Sequence, residues 1–175
     1  MILMRHGETV FNRVYGATRR DPGVADPALT AVGRAQAEAA ARRRAGEDLR
    51  RQIASPFTRA LETAEIVARH LRIPVTVDAR VRERAAFACD VGTCRSALAA
   101  RWSGLALDQL DEVWWHVAEE GEPALDARCA EFRADIARAA DWPHVAVITH
   151  WGVIRSLARV SLTNGETVRF DPTRA

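Results

Sequence analysis

The apolar residues of this chain fall into short runs separated by longer stretches with helical spacing. The short, largely apolar runs have the length of buried strands. They lie at 2–4, 52–54, 75–77 and 145–149. The longer stretches, whose apolar residues recur every three or four positions, predict helices. These helices are expected at 31–44, 56–71, 95–120 (broken at Gly104), 125–140 and 151–162.

The order of these elements predicts the fold class. Strands that alternate with helices form mostly parallel sheets, so we expect an α/β three-layer sandwich with helices on both faces. Asn164-Gly165 predicts a turn, after which 167–170 suits an antiparallel edge strand at the C-terminus. The chain has no internal repeat or linker. We therefore expect 1–175 to form one domain, which 175 residues with 48% hydrophobic content can support.

Local signals predict several boundaries. Thr30 is suited to be the N-cap of the helix that follows it. Ser55-Pro56 suits an N-cap and a first helical residue, because proline has no N–H to satisfy there. Residues 10–28 are polar and contain Gly and Pro, so they are predicted to form a long loop of the kind that often carries function. Residues 78–92 are predicted to be irregular.

The composition narrows the classes of function. A formal net charge of +2 gives no electrostatic case for a nucleic-acid partner. All 25 basic residues are arginine, which excludes Schiff-base lysine chemistry and the lysine-dependent P-loop. The three cysteines and five histidines lack the spacing of a zinc site, so we expect no metal.

The N-terminus and the longest apolar runs bear on location. No basic region followed by an apolar stretch of signal-peptide length opens the chain. No apolar run approaches the ~20 residues that span a bilayer. We therefore expect a cytoplasmic protein with no membrane partner, and the pattern predicts no particular oligomeric state.

Two of the predicted strands end in histidine. Arg5-His6-Gly7 follows the first strand, and His150 follows the strand at 145–149. The carboxyl ends of parallel strands share one edge of the sheet, where ligands bind, so the two imidazoles can meet if their strands are neighbours. Taken alone, Arg5-His6-Gly7 has the alternative interpretation of a surface turn after an edge strand.

Arg59 lies in the first turn of the helix at 56–71. A cation there opposes the helix dipole, and a bound anion would compensate it; the alternative is an arginine that points into water. Two arginines, two imidazoles and helix N–H groups together favour a compact dianion such as a phosphoryl group. A nearby carboxyl group that holds a proton would complete a phosphoryl-transfer site.

Four sequence blocks resemble those of the histidine phosphatase superfamily, which has a phosphoglycerate-mutase-like fold. In chain order they are Arg5-His6-Gly7-Glu8-Thr9 with Asn12, Leu29-Thr30-x-x-Gly33-x-x-Gln36-Ala37, Ser55-Pro56-x-x-Arg59-Ala60-x-x-Thr63-Ala64, and Ile148-Thr149-His150 ahead of a helix. They follow the order found in the family and span nearly the whole chain.

This resemblance implies a role for each matched residue. His6 matches the nucleophile that becomes phosphohistidine. The groups that bind the phosphoryl oxygens are matched by Arg5, Arg59 and His150, with Asn12 as a further phosphate contact. Glu83 is at the position of the general acid. The family needs no metal or cofactor, since arginines supply the positive charge.

Two positions depart from the family's pattern. Trp151 stands where the family usually has glycine; it keeps the backbone N–H that holds phosphate, and its ring is assigned to the wall of the substrate pocket. The segment after Glu83 lacks the usual continuation with glycine and tryptophan, which leaves Asp90 as the reserve general acid.

The resemblance implies a metal-independent phosphomonoesterase acting on a small phosphorylated metabolite. A mutase of the phosphoglycerate type is the first alternative, in which Arg13, Arg19 and Arg20 grip a second acidic group of the substrate. For these arginines, a solvated loop is the competing interpretation. The remaining alternative is a catalytically weak relative that binds phosphorylated ligands.

Overall fold

The computed structural model describes residues 1–174, whose strands form one sheet. The five strands in these residues are β1 (Ile2–Arg5), β2 (Arg51–Ala54), β3 (Val75–Val77), β4 (Val145–Thr149) and β5 (Thr167–Arg169). Their spatial order is β3-β2-β4-β1-β5. The β1–β5 pair is antiparallel and the other pairs are parallel, which confirms the predicted sheet and its antiparallel edge strand.

Helices cover both faces of this sheet. The six α-helices within 1–174 are α1 (Val10–Thr18), α2 (Ala31–Arg43), α3 (Thr58–Leu71), α4 (Arg95–Arg101), α5 (Glu122–Ala137) and α6 (Trp151–Ala158). Successive strand residues point to opposite faces, so Met4 and Ile148 pack with α2 and α3, whereas Leu3 and Val147 pack with α5 and α6. The predicted three-layer arrangement is confirmed.

The register of β1 and β4 brings the two histidines to one place. Arg5 pairs with Thr149, so the chain leaves both strands at the same level of the sheet edge. The backbone N–H of His6 donates to the carbonyl of Thr149 at 3.0 Å. On the other side of β4, the N–H of Ser55 donates to the carbonyl of Ile148 at 3.0 Å, so the end of β2 lies at this edge too.

The predicted loop over 10–28 is wrong in its first half, because α1 occupies Val10–Thr18. Thr9 and Asn12 form a capping box: the Thr9 side chain accepts from the Asn12 N–H, and Asn12 Oδ1 accepts from the Thr9 N–H. The pair Thr9-x-x-Asn12 is a local helix-start signal that the polar composition of the segment obscured.

The predicted start of α3 is also wrong. The helix begins at Thr58 with Phe57 as its N-cap, and the side chain of Phe57 makes no capping bond. Asp26 takes over that task from a distant part of the chain: Oδ1 accepts from the Thr58 N–H at 2.8 Å and Oδ2 from its hydroxyl at 2.7 Å.

The predicted helix over 95–120 is correct only as far as Arg101. Beyond it, Leu107, Leu110 and Trp114 are buried without helical backbone, and Trp114 donates its indole N–H to the carbonyl of Thr93 at 2.9 Å. These residues belong to an irregular segment that packs over the core, so their spacing along the sequence does not reflect a helix. The last predicted helix likewise ends early, at Ala158.

Close backbone packing sets the position of α2 against the first strand's end. A Cβ on Gly7 would lie 2.2 Å from the carbonyl oxygen of Gly33, and a Cβ on Gly33 would lie 2.1 Å from that of Glu8. Only glycine fits at both positions. Thr30 caps this helix as predicted, accepting from the Gly33 N–H at 3.0 Å.

None of the helices described between residues 1 and 174 is long and apolar enough to cross a membrane.

Candidate active site

His6 is buried directly after β1 and carries its proton on a defined nitrogen. Nδ1 lies 2.7 Å from the carbonyl oxygen of Gly7, which can only accept, so Nδ1 is the protonated nitrogen. Nε2 therefore keeps its lone pair. Burial, followed by the charges of Arg59 and Arg5, holds the pKa of His6 well below its usual range. At neutral pH the ring is an uncharged nucleophile.

His150 faces His6 across the end of the parallel pair, with the ring centroids 5.0 Å apart. Arg59 Nε donates to His150 Nδ1 at 3.3 Å, so Nε2 carries the proton and donates it to Ser55 Oγ at 2.7 Å. Burial lowers the pKa of His150 well below its usual range, and the Arg59 charge adds to this effect. The structure thus brings both predicted histidines together as neutral rings.

Arg59 is buried beside His150, and Asp90 neutralises it. Its Nη2 donates to Asp90 Oδ1 at 3.0 Å and its Nη1 to the carbonyl of Cys89 at 2.6 Å. The other oxygen of Asp90 accepts from the N–H groups of Ala86 and Phe87 at 3.2 and 3.1 Å. With Nε on His150, three of the five guanidinium N–H groups are used, and two remain for an anion.

Arg5 is held less completely than Arg59. Its Nη1 donates to the carbonyl of Leu162 at 2.7 Å, and its Nε is a buried donor with no partner among residues 1–174. An unsatisfied buried N–H costs free energy that an anionic oxygen would recover. Burial lowers the pKa of Arg5, and the negative charge of Glu83 partly offsets this effect, so the two side chains interact electrostatically.

Glu83 lies half-buried against the start of α6. Its Oε1 accepts from the N–H of Gly152 at 3.0 Å and of Arg84 at 2.9 Å, while Oε2 has only a longer contact of 3.2 Å to Gly152 N. A Cβ on Gly152 would lie 2.4 Å from Oε1, so this approach requires glycine. Burial, then repulsion from Asp90, raises the pKa of Glu83 above its ordinary value.

The turn that carries Glu83 is fastened through its backbone carbonyls. Arg128 donates from Nη1 to the carbonyls of Arg80 and Arg82 at 2.7 and 2.8 Å. Thr149 Oγ1 donates to the carbonyl of Val81 at 2.7 Å. Arg128 is fixed in turn by Glu120, whose carboxylate accepts from Nε and Nη2 at 2.7 Å each.

Asn12 and Trp151 are the two predicted substrate contacts. Asn12 is linked to His6 through Asn164, whose Nδ2 donates to His6 O at 3.1 Å and to Asn12 Oδ1 at 3.2 Å. The indole N–H of Trp151 donates to Ser161 Oγ at 2.8 Å, and the Arg155 guanidinium lies over its ring at 4.6 Å. Its backbone N–H is in the first turn of α6. The role of the Trp151 ring in substrate binding stays a prediction.

Sequence reasoning missed the residues that hold the site in place. Ser55, Thr63 and Asp90 contact His150, Gly7 and Arg59 respectively; the Gly7 N–H donates to Thr63 Oγ1 at 3.1 Å. Ser55 and Thr63 belong to a sequence block that resembles the superfamily, so the sequence marks these positions but does not indicate their contacts. Asp90 carried a different expected role, and Arg128 gave no sequence signal. Residues 1–174 contain no group of three or more His, Cys, Asp or Glu that could hold a metal ion.

A family model described as the histidine phosphatase superfamily (branch 1) matches residues 1–172. The chain belongs to this superfamily. Among curated relatives, a probable phosphoglycerate mutase GpmB from Proteus mirabilis (strain HI4320) is 34% identical over 121 residues, which are 69% of this chain and 50% of the relative. The Yersinia enterocolitica protein of the same name is 40% identical over 83 residues, or 47% and 37% of the two chains. The chain thus spans half or less of these relatives' length.

Two solved structures agree with the fold of this superfamily member. TTHB049 from Thermus thermophilus is 28% identical with a TM-score of 0.65, covering 99% of this chain and 94% of its own. The mycobacterial glucosyl-3-phosphoglycerate phosphatase is 25% identical with a TM-score of 0.61, covering 90% of this chain and 76% of its own.

Proposed function

We propose that this histidine phosphatase superfamily member is a phosphomonoesterase, which hydrolyses a small phosphorylated metabolite through a phosphohistidine on His6. One observation carries the proposal: His6 has its proton on Nδ1 at the Gly7 carbonyl and its Nε2 lone pair free. The ring is close enough to Arg5 and Arg59 for their charges to lower its pKa, in addition to the larger effect of burial. Two cations and a neutral nucleophile suit a phosphoryl dianion.

In the first step the Nε2 lone pair of His6 attacks phosphorus and the bond to the leaving oxygen breaks. Glu83 enters this step protonated and gives its proton to that oxygen, so the product leaves as a neutral alcohol. Arg5 and Arg59 stabilise the charge on the three non-bridging oxygens, and Asn12 supplies its Nδ2 donor.

In the second step the Glu83 carboxylate takes a proton from water, and the water oxygen attacks phosphorus. The P–N bond breaks, inorganic phosphate leaves, and His6 recovers its lone pair. The raised pKa of Glu83 suits both steps, because the carboxyl must hold a proton in one and accept one in the other.

The surroundings of the two carboxyl groups favour Glu83 over Asp90 as the acid. Asp90 is buried at 3% exposure, and both of its oxygens are engaged by Arg59 and by backbone N–H groups. A carboxylate fixed in that way positions the arginine. Glu83 has an oxygen, Oε2, with a single long contact and is therefore able to reach a leaving group.

A mutase of the phosphoglycerate type is the second candidate, and the names of the curated relatives favour it. It would transfer the phosphoryl group from phosphohistidine to a second hydroxyl instead of water. Arg13, Arg19 and Arg20, which are the cations proposed to grip a second acidic group, are exposed and lie on or just after α1.

The test is phosphate release from a panel of phosphorylated metabolites, with chelator present, by the wild type and by His6→Ala. We expect release by the wild type and a loss of about 1,000-fold or more in the variant, because a nucleophile is removed. His70→Ala, at an exposed position on α3, is the matched control and should keep full activity. An active His6→Ala would refute the proposal. Phosphoryl exchange between two substrate positions without net release would identify the mutase instead.

A further inference from the structure

Three aromatic rings pack together where α1 meets the segment after Glu83. We call Phe11, Tyr15 and Phe87 the aromatic trio. Phe11 and Tyr15 stack nearly parallel on α1, with centroids 5.2 Å apart and planes at 12°. Phe87 packs against both, at 5.2 Å from Phe11 and 5.0 Å from Tyr15. The trio therefore joins two segments that are distant in sequence.

The sheet order places the trio across the edge that carries the site. α1 follows β1, whereas Phe87 lies in the connection after β3, and the sheet order puts β4 and β2 between those strands. The ends of β4 and β2 carry His150 and Ser55. A contact from α1 to Phe87 thus spans the ends of both strands.

Short links tie the trio to the phosphate-binding groups. Phe11 precedes Asn12 in the chain, and the N–H of Phe87 donates to the Asp90 carboxylate that holds Arg59. The segment after α1 is also fastened to this connection, because Asp21 Oδ2 accepts from the N–H of Ala88 at 2.8 Å.

The trio leaves apolar ring surface open to solvent. Phe87 is 39% exposed, and Phe11 and Tyr15 are half-buried, whereas Phe57, which packs against Trp114 and His150, is 1% exposed. Covering exposed phenylalanine surface with an apolar ligand removes that surface from water and therefore favours binding. The Arg19 guanidinium, 5.7 Å from the Tyr15 ring, adds a cation at the rim of this surface.

We propose that the aromatic trio is the binding site for the alcohol part of the substrate, and that it selects phosphomonoesters carrying a planar ring. The inference rests on the proposed function for its substrate class. The phosphoryl group sits among His6, Arg5 and Arg59, and the ring of the leaving group packs on the trio. Proton transfer from Glu83 to the ester oxygen is unchanged.

Two kinds of measurement test this inference separately from turnover. Calorimetry compares phenylphosphonate with methylphosphonate, whose C–P bonds resist hydrolysis, so no catalysis is needed. Steady-state kinetics compares benzyl phosphate with ethyl phosphate, which both release an aliphatic alcohol and therefore need the same proton from Glu83. Each is applied to the wild type, Phe87→Ala, Phe87→Leu and Tyr15→Ala, with Val160→Ala at an exposed position after α6 as the control.

We expect phenylphosphonate to bind the wild type roughly tenfold tighter than methylphosphonate, as one well-packed aromatic contact provides. Phe87→Ala and Tyr15→Ala should remove most of that preference and lower kcat/KM for benzyl phosphate only. Phe87→Leu should keep an intermediate preference, and the control should keep all of it.

Equal binding of the two phosphonates by the wild type would overturn the inference. A decrease in kcat/KM in Phe87→Ala and Tyr15→Ala that is equal for benzyl and ethyl phosphate would also overturn it. A preference for phenylphosphonate without turnover of any monoester would instead refute the proposed phosphatase activity and leave the trio as a ring-binding site.

Discussion

The reacting groups come from two regions of the molecule that are built differently. His6, Arg5 and His150 stand at the ends of adjacent parallel strands, and Arg59 is in the first turn of α3. Glu83 comes from an irregular connection after β3. Backbone pairing in the sheet fixes His6, Arg5 and His150, and Asp90 holds Arg59. The position of Glu83 depends instead on side chains from α5 and β4 that donate hydrogen bonds to the carbonyls of its turn.

This difference separates two tasks. The strand-end region holds permanent charge and a neutral nucleophile, both of which need a fixed geometry. The connection holds the one carboxyl group whose proton must come and go. We therefore expect substitutions that disturb the strand-end groups to affect every substrate, and substitutions that disturb Glu83 to affect substrates according to their leaving groups.

The largest effect within this comparison is expected for Glu83→Gln. Loss of the general acid should lower kcat/KM for alkyl phosphates by about 100- to 10,000-fold. Aryl phosphates, whose leaving groups need less protonation, should suffer much less. The measurement is a series of monoesters of graded leaving-group pKa. A uniform loss across the series would contradict the role of Glu83.

The pH profile provides a second measurement on the same variant. Glu83 must be protonated for the first step, so the wild-type rate with alkyl phosphates should fall as pH rises through its raised pKa. Protonation of His6 should cause a fall only at low pH, because its pKa lies well below the usual value. Glu83→Gln should lose the alkaline fall and keep the acid one.

Asp90→Asn tests the strand-end region through Arg59, which the Asp90 carboxylate holds although Asp90 itself lies in the connection after β3. Removing one charge of a buried ion pair leaves Arg59 uncompensated, so the free energy of unfolding should fall by about 3–5 kcal/mol. Displacement of Arg59 should reduce kcat/KM by up to about 100-fold for alkyl and aryl phosphates alike. Chemical denaturation and the substrate series measure the two effects.

Asp48→Asn is the matched control for that variant, because it removes the charge of an exposed pair with Arg50. Its effect on the free energy of unfolding should stay below about 1 kcal/mol. If Asp90→Asn instead spares aryl phosphates and slows alkyl phosphates, Asp90 is the acid and the assignment of Glu83 is wrong.

Arg128→Gln should have the smallest kinetic effect, roughly tenfold, because Glu83 is displaced rather than removed. The loss should be confined to substrates with poor leaving groups, and assays should run below the unfolding transition of the variant. Arg133→Gln on the same helix, which removes a bond to the Pro172 carbonyl, should leave the substrate series unchanged. An equal loss for all substrates would assign Arg128 to stability alone.

The sequence predicted the strand-end region well because its signals are local. The run at 145–149 ends in His150, and β4 has those bounds in the structure. The residue that pairs with a charge can be distant in sequence. At the start of α3, where the sequence suggested a bound anion, Asp90 pairs with Arg59 and Asp26 accepts from the Thr58 N–H. The helix predicted beyond Arg101 is wrong for a related reason. Leu107, Leu110 and Trp114 have helical spacing in the sequence, but they are buried by tertiary contacts of an irregular segment.

The expectations about cellular location, partners and cofactors concern properties that the fold does not determine. The cytoplasmic location, the lack of a nucleic-acid or membrane partner and the need for no cofactor stay predictions. The family and the mostly parallel sheet are confirmed.

The most direct test of the account is to trap the phosphoenzyme. The wild type is mixed with benzyl phosphate, quenched in alkali, where phosphohistidine survives, and its peptides are mapped by mass spectrometry. We predict one phosphoryl group on His6, absent in His6→Ala and unchanged in His70→Ala. Phosphate release in the first turnover with no phosphoryl group on His6, or with the group on His150, would contradict the central claim.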